Sequence, residues 1–103
     1  MTEIFIKKAK DIIEEIFNQI NKNYQDIDID LIENVLTIEI SEAKIFIISI
    51  HEPTLQIWYS SPISGAHHFE MDEGKVSWKN TRKKEFKFPD IIFSEIQQAR
   101  NDF

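Results

Sequence analysis

Between residues 3 and 22 the apolar side chains recur with a period near 3.6. Phe5, Ala9, Ile12, Ile13, Ile16, Phe17 and Ile20 gather on one side of a helical wheel, with Glu3, Lys7, Asp11, Glu14, Asn18 and Gln19 mostly opposite. The spacing predicts an amphipathic helix over residues 3–22, with Thr2 as its N-cap and Asn21, Lys22 and Asn23 at its end. The period then falls to two. Ile27, Ile29 and Leu31 alternate with Asp26, Asp28 and Asp30, as a strand with one buried face requires. Glu33-Asn34 supplies a hairpin turn into a strand from Val35 to Ile40, which buries Leu36, Ile38 and Ile40 and turns Thr37 and Glu39 outward. Lys44 to Ile50, Leu55 to Ser60, His67 to Met71 and Lys75 to Lys79 read as further strands, divided by turns at Glu52-Pro53, Ser61 to Gly65 and Asp72 to Gly74. Phe88-Pro89-Asp90 opens a second helix with Ile92, Ile96, Ala99 and Phe103 as its apolar stripe.

A helix, about six short strands and a second helix make an α+β pattern, in which both helices cover one face of a single antiparallel sheet. The other face of that sheet stays uncovered. A length of 103 residues suits one domain spanning 1–103, and a hydrophobic content of 42% suffices for its core. The chain has no cysteine, which excludes a disulfide framework, Cys-ligated zinc or iron–sulfur clusters, and a thiol nucleophile. Any metal chemistry must use oxygen or imidazole. Eighteen acids against twelve bases give a net charge of -6, which argues against nucleic acid and favours a basic partner or a cation. The longest apolar run, Ile45 to Ile48, is far short of the roughly 20 residues of a membrane span, so no membrane is expected. Residues 1–23 contain no Arg and carry Glu3, Asp11, Glu14 and Glu15, unlike a mitochondrial targeting peptide. The expected setting is the bacterial cytoplasm, or a form already trimmed.

Three sets of residues invite a chemical reading. Asp26, Asp28 and Asp30, projecting from one strand face about 7 Å apart, would raise the local negative potential and attract a cation without forming a closed cage. Carboxylate oxygen suits iron, and equally calcium, magnesium or manganese; the same alternation also describes the solvated face of an edge strand. Asp11, Glu14 and Glu15 crowd one turn of the first helix, with Lys7, Lys8 and Lys10 near enough to neutralise them. Trp58 alternates with Ile57 and Tyr59, so an inward Ile57 puts Trp58 on the uncovered face as a partner-binding anchor with Gln56 beside it. Trp78 reads as core or half-buried. His51, His67 and His68 lack metal-ligand spacing. Lys79, Arg82, Lys83, Lys84 and Lys87 polarise the chain, either as a solvated loop or as a steering patch. No nucleophile–base pair, phosphate loop or acid/base dyad is visible, which argues against an enzyme.

The stretch Gln56-Ile57-Trp58-Tyr59-Ser60-Ser61-Pro62-Ile63-Ser64-Gly65, following Pro53, resembles the signature of the frataxin family in its bacterial CyaY-type branch. Val35-Leu36-Thr37-Ile38, His68-Phe69-Glu70 and Trp78 resemble further family landmarks in the right order, and the likeness extends over essentially the whole chain. The resemblance implies a non-enzymatic protein that binds iron weakly, as Fe2+ or Fe3+ and without an organic cofactor. It also implies docking onto the cysteine desulfurase and scaffold protein of iron–sulfur cluster assembly, as iron donor, regulator or both. Its acidic ridge would be Asp11, Glu14, Asp26, Asp28 and Asp30, and its partner surface Gln56, Trp58 and His68. Asn18, Asn21, Lys22 and Asn23 stand where many bacterial relatives carry acids, which implies a thinner ridge and a looser hold on iron. Ser49 and Ile50 replace the family's usual Asn and basic residue. The expected state is a monomer, with iron-induced oligomers left open. Ferroxidase or iron-storage activity, and an interaction module with incidental cation affinity, are the alternatives.

Overall fold

The computed structural model describes residues 2–72 and 77–101. Helix α1 (Thr2–Asn23) leads into strands β1 (Asp28–Ile32), β2 (Val35–Ser41) and β3 (Lys44–His51). A short 3-10 turn, Glu52–Thr54, is followed by β4 (Gln56–Ser61), β5 (Gly65–Met71), β6 (Trp78–Asn80) and β7 (Lys87–Phe88), and helix α2 (Asp90–Asn101) closes the chain. The strands form one antiparallel sheet in the order β1-β2-β3-β4-β5-β6-β7, each beside its sequence neighbour. Short connections between consecutive strands make that meander the simplest closure of the ladder.

Both helices lie on one face. Phe5, Ala9, Ile13, Ile16 and Ile20 of α1 and Ile91, Ile92, Ile96 and Ala99 of α2 are buried against Leu36, Ile38, Phe46, Ile48, Ile57, Tyr59, Phe69 and Phe88 of the sheet. Each fully buried Ile, Leu or Phe contributes about 1.5–3 kcal/mol relative to exposure, so this layer holds most of the stability. Beneath the start of α1, Phe5 meets Trp78 edge-on at 5.8 Å and Phe88 packs on Phe69 at 4.9 Å, which anchors the two short last strands. Trp78 is half-buried there. Among the described residues, no helix is long and apolar enough to cross a membrane.

Three expectations need correction. The sheet has seven strands rather than six, because Lys87-Phe88 adds a two-residue rung against β6 just before α2. The strand expected at Lys75 to Lys79 is observed as Trp78–Asn80; its start and the turn at Asp72 to Gly74 fall partly on residues 73–76, outside the described residues, as does Phe103. β1 begins at Asp28, where pairing with Glu39 of β2 starts, so Asp26 sits in the preceding loop. Pairing of β1 stops at Asp28 although β2 runs on to Ser41, so Asp26 forms no rung of the ladder.

Candidate functional site

The uncovered face is organised around Trp58. Alternation along β4 sends Ile57 and Tyr59 into the core and Trp58 outward, opposite Ser49 of β3 and His68 of β5. The His68 ring stacks on one face of the indole at 4.5 Å and the His51 ring on the other at 3.8 Å, both within 13° of parallel. His68 is the direct cross-strand neighbour, whereas His51 reaches over from the diagonal position, at the distance where aromatic side chains still meet. The indole Nε1–H donates to Oε1 of Gln56 at 2.8 Å, and His51 Nδ1 lies 2.7 Å from Oγ1 of Thr54. Trp58 is therefore half-buried rather than fully exposed: its faces are covered and its position is fixed. Gln56, Trp58 and His68 do come together, and His51 is the member that sequence spacing missed, because its proximity depends on strand register.

The carboxylates are more dispersed. Asp28 and Asp30 point off the uncovered face of β1, and the register sets Asp28 directly opposite Glu39, an additional acid at the same corner. Like charges opposed across two strands cost about 0.2–1 kcal/mol, a repulsion that a cation would relieve. Asp11 and Glu14 lie on exposed turns of α1, where Asp11 is paired with Lys7 at 3.0 Å. Glu14 borders a shallow depression between α1 and the β1–β2 hairpin, together with Lys10, Leu31, Glu33, Asn34 and Ile50. Asp26 is committed elsewhere: its carboxylate accepts a hydrogen bond from Arg100 of α2, and that contact holds it below the usual carboxylate range. Arg100 also lies over the Tyr24 ring at 4.8 Å, so the pair clips the end of α2 to the α1–β1 loop. Among the described residues, no three His, Asp or Glu side chains converge on a point where a metal ion would be enclosed.

A second polar group lies on the covered face. Tyr59 and Glu95 are both buried, and the phenol donates to Glu95 Oε1 at 2.7 Å. Burial, followed by the Glu95 carboxylate, pushes the phenol pKa far above its ordinary value. His67, inward by the same parity that turns His68 outward, lies between Ser64 and Asn80: Nε2 is 2.7 Å from Ser64 Oγ and Nδ1 is 2.9 Å from Asn80 Nδ2. The Asn80 Oδ1 atom accepts the backbone N–H groups of Arg82 and Lys83 at 3.0 and 2.9 Å. That fixes the amide, so its NH2 faces His67, and Nδ1 must accept. His67 is then neutral with its proton on Nε2, donated to Ser64. Burial, reinforced by the Lys83 charge, lowers its pKa.

This arrangement bears on catalysis. Ser64 and His67 have the separation of a nucleophile and its base, a juxtaposition sequence reasoning did not foresee. Their polarity is reversed, because an imidazole that donates from Nε2 cannot take the serine proton. The cluster fastens β5 to the turn after β6 and offers no general base. Glu95 was discoverable: it lies three residues after Ile92 and four before Ala99, on the apolar stripe, where a carboxylate needs a buried donor.

Comparison with known proteins follows the same lines. Residues 2–102 match the family model described as a frataxin-like domain. Proteins named iron-sulfur cluster assembly protein CyaY from Neisseria meningitidis serogroups C and B are 33% and 37% identical over 103 residues, covering 99% of this chain and 92% of theirs. Frataxin from Psychromonas ingrahamii has the same fold, with a TM-score of 0.83 at 22% identity, over 97% of this chain and 91% of that one. Trimeric frataxin from the yeast Saccharomyces cerevisiae, complexed with ferrous iron, gives a TM-score of 0.79 at 26% identity, over 92% and 87% of the two chains. With the helix–sheet–helix order, the Trp58 strand and near-complete coverage by full-length relatives, this chain belongs to the frataxin family, in its CyaY-type branch.

Proposed function

We propose that this protein serves iron–sulfur cluster assembly in the bacterial cytoplasm as an iron-binding docking protein, which supplies iron to, or regulates, a cysteine desulfurase and its scaffold. The observation that carries the reading is Trp58, clamped between two imidazoles on an uncovered sheet face. An aromatic ring already held in place loses little freedom on docking, which is the property of an interface anchor. Gln56 fixes the indole edge and His68 covers one of its faces, so all three belong to the same contact. Relatives of nearly equal length bear names that refer to iron–sulfur cluster assembly, which supports the same assignment.

Iron is cargo in this reading. Asp28 and Asp30, joined by Glu39, form one negative corner, and Asp11 and Glu14 another on α1. Single carboxylates without an enclosing set hold a hard cation through its water shell, which gives weak and exchangeable binding. Asp26 contributes least, since iron must first displace Arg100. Such sites suit delivery or sensing better than ferroxidase chemistry, and no organic cofactor is called for.

The reading is tested by two-dimensional NMR of labelled protein titrated anaerobically with ferrous iron and then with cysteine desulfurase. Broadening at residues 11–14 and 28–30 with iron, followed by shifts around Trp58 with the desulfurase, supports it. A desulfurase response without any iron response leaves a docking regulator and removes the metal assignments. Silence at Trp58 with both additions overturns the docking assignment.

A further inference from the structure

The uncovered face carries its charges at opposite corners. Strand register lays the outward side chains in rows. Asp28 and Glu39 share the row at one end, with Asp30 in the next, all on β1 and β2. Lys79 and Lys87 share the row at the other end, on β6 and β7, with Glu70 beside Lys79 at 3.6 Å. Ile47 and Trp58 lie between them on neighbouring strands, while Val35 and Ile32 continue the Trp58 row beyond Ser49 and Ile45 stands beside Glu39. Ile32, Val35, Ile45 and Ile47 are 63, 40, 37 and 40% exposed on this face.

We infer that this face docks a second copy of the chain, face to face about a two-fold axis in the interface plane near Ile47 and Trp58. Such an axis, set perpendicular to the line joining the charged corners, brings the acidic corner of each copy over the lysine corner of the other. The contact is isologous, so the same pairing is made twice. Ile47 and Trp58 meet at the centre, away from both charged corners. Strand spacing of about 4.8 Å and row spacing of about 6.8 Å give the face roughly 600 Å² per copy. Stable complexes bury about 800 Å² per partner, so the dimer is weak, concentration-dependent and sensitive to salt. Self-docking covers Trp58, and a heterologous partner using that anchor has to compete with the second copy.

The test is sedimentation equilibrium of the full chain in chelator-treated, metal-free buffer, from about 10 µM to about 1 mM, so that iron plays no part. The expected result is a monomer–dimer equilibrium at low salt that weakens at least tenfold at about 0.5 M salt. The Asp28→Lys/Asp30→Lys variant and the Lys79→Glu/Lys87→Glu variant should each lose self-association at least tenfold. An equimolar mixture of the two should dimerise again, because both corner pairings are then attractive, one with its native signs and the other with its signs exchanged. All four positions are exposed, and circular dichroism checks that the variants are folded. A monomer throughout, a dimer indifferent to both reversals, or no rescue on mixing would overturn the inference and leave the iron and desulfurase reading untouched.

Discussion

Replacing Asn80 by Asp should invert the pH dependence of stability around His67. In the native chain three bonds converge on the Asn80 side chain: Nδ2 to His67, and Oδ1 from the N–H groups of Arg82 and Lys83. At about 1 kcal/mol each, with an added penalty for buried groups left unpaired, Asn80→Ala should cost about 2–4 kcal/mol. That corresponds to a fall in melting temperature of more than about 8 °C for a chain of this size. Asn80→Asp keeps the shape and both backbone bonds, but presents a carboxylate oxygen to Nδ1 in place of an amide donor. His67 must then carry its proton on Nδ1, and the Ser64 hydroxyl turns to donate to Nε2.

The native His67 pKa lies below 6.5 because of burial and Lys83, while Glu95 and Glu85 pull it upward. Its contribution is complete above pH 6.5, and it is lost as the pH falls from there through the folded value, because the unfolded chain takes up the proton first. A carboxylate against the ring raises the folded pKa above the unfolded one. The variant's contribution is then complete below pH 6.5 and is lost as pH rises through the folded value. Urea unfolding between pH 5 and 8 measures both slopes, at 1.36 kcal/mol for each unit of pKa difference. Imidazole nitrogen NMR reports the tautomer independently. Parallel slopes for the two proteins, or a native His67 protonated on Nδ1 at neutral pH, would refute the network as drawn.

Tyr59→Phe removes the buried donor to Glu95 and should cost about 1–3 kcal/mol in chemical denaturation, with Glu95→Gln costing less because the amide oxygen can still accept the phenol. Glu33 sits at φ 56 in the two-residue turn between β1 and β2, so Glu33→Gly should raise stability by about 0.5–1 kcal/mol; a loss would show that the left-handed geometry is not costly there. Arg100→Gln should return the Asp26 carboxyl to its ordinary range in a carbon-detected NMR titration, and an unchanged midpoint would contradict the Arg100 pairing.

Much of the architecture is legible because it follows from periodicity. The 3.6 repeat of Phe5, Ala9, Ile13, Ile16 and Ile20 names the buried side of α1, and the twofold repeat of Ile57 and Tyr59 assigns Trp58 to the opposite face. Parity also separates His67 from His68, one inward and one outward. Features that depend on register are hidden. Nothing local places His51 over the indole, pairs Asp28 with Glu39, or aligns Lys79 and Lys87 across the sheet from them. The alternation of Asp26 with Ile27 continues the strand pattern one step too far, because strand formation needs a partner and Asp26 has found Arg100 of α2 instead. β7 escapes notice because two residues are too few to show a period.

The most direct measurement of the central claim compares native protein and Trp58→Ala for binding to the cysteine desulfurase–scaffold complex by calorimetry. Trp58 stacks on exposed-face neighbours rather than in the core, so the variant should remain folded. If Trp58 is the anchor, the variant should lose at least about 2 kcal/mol of binding, or roughly 30-fold in affinity. An affinity equal to that of the native protein, with the fold intact, would contradict the account.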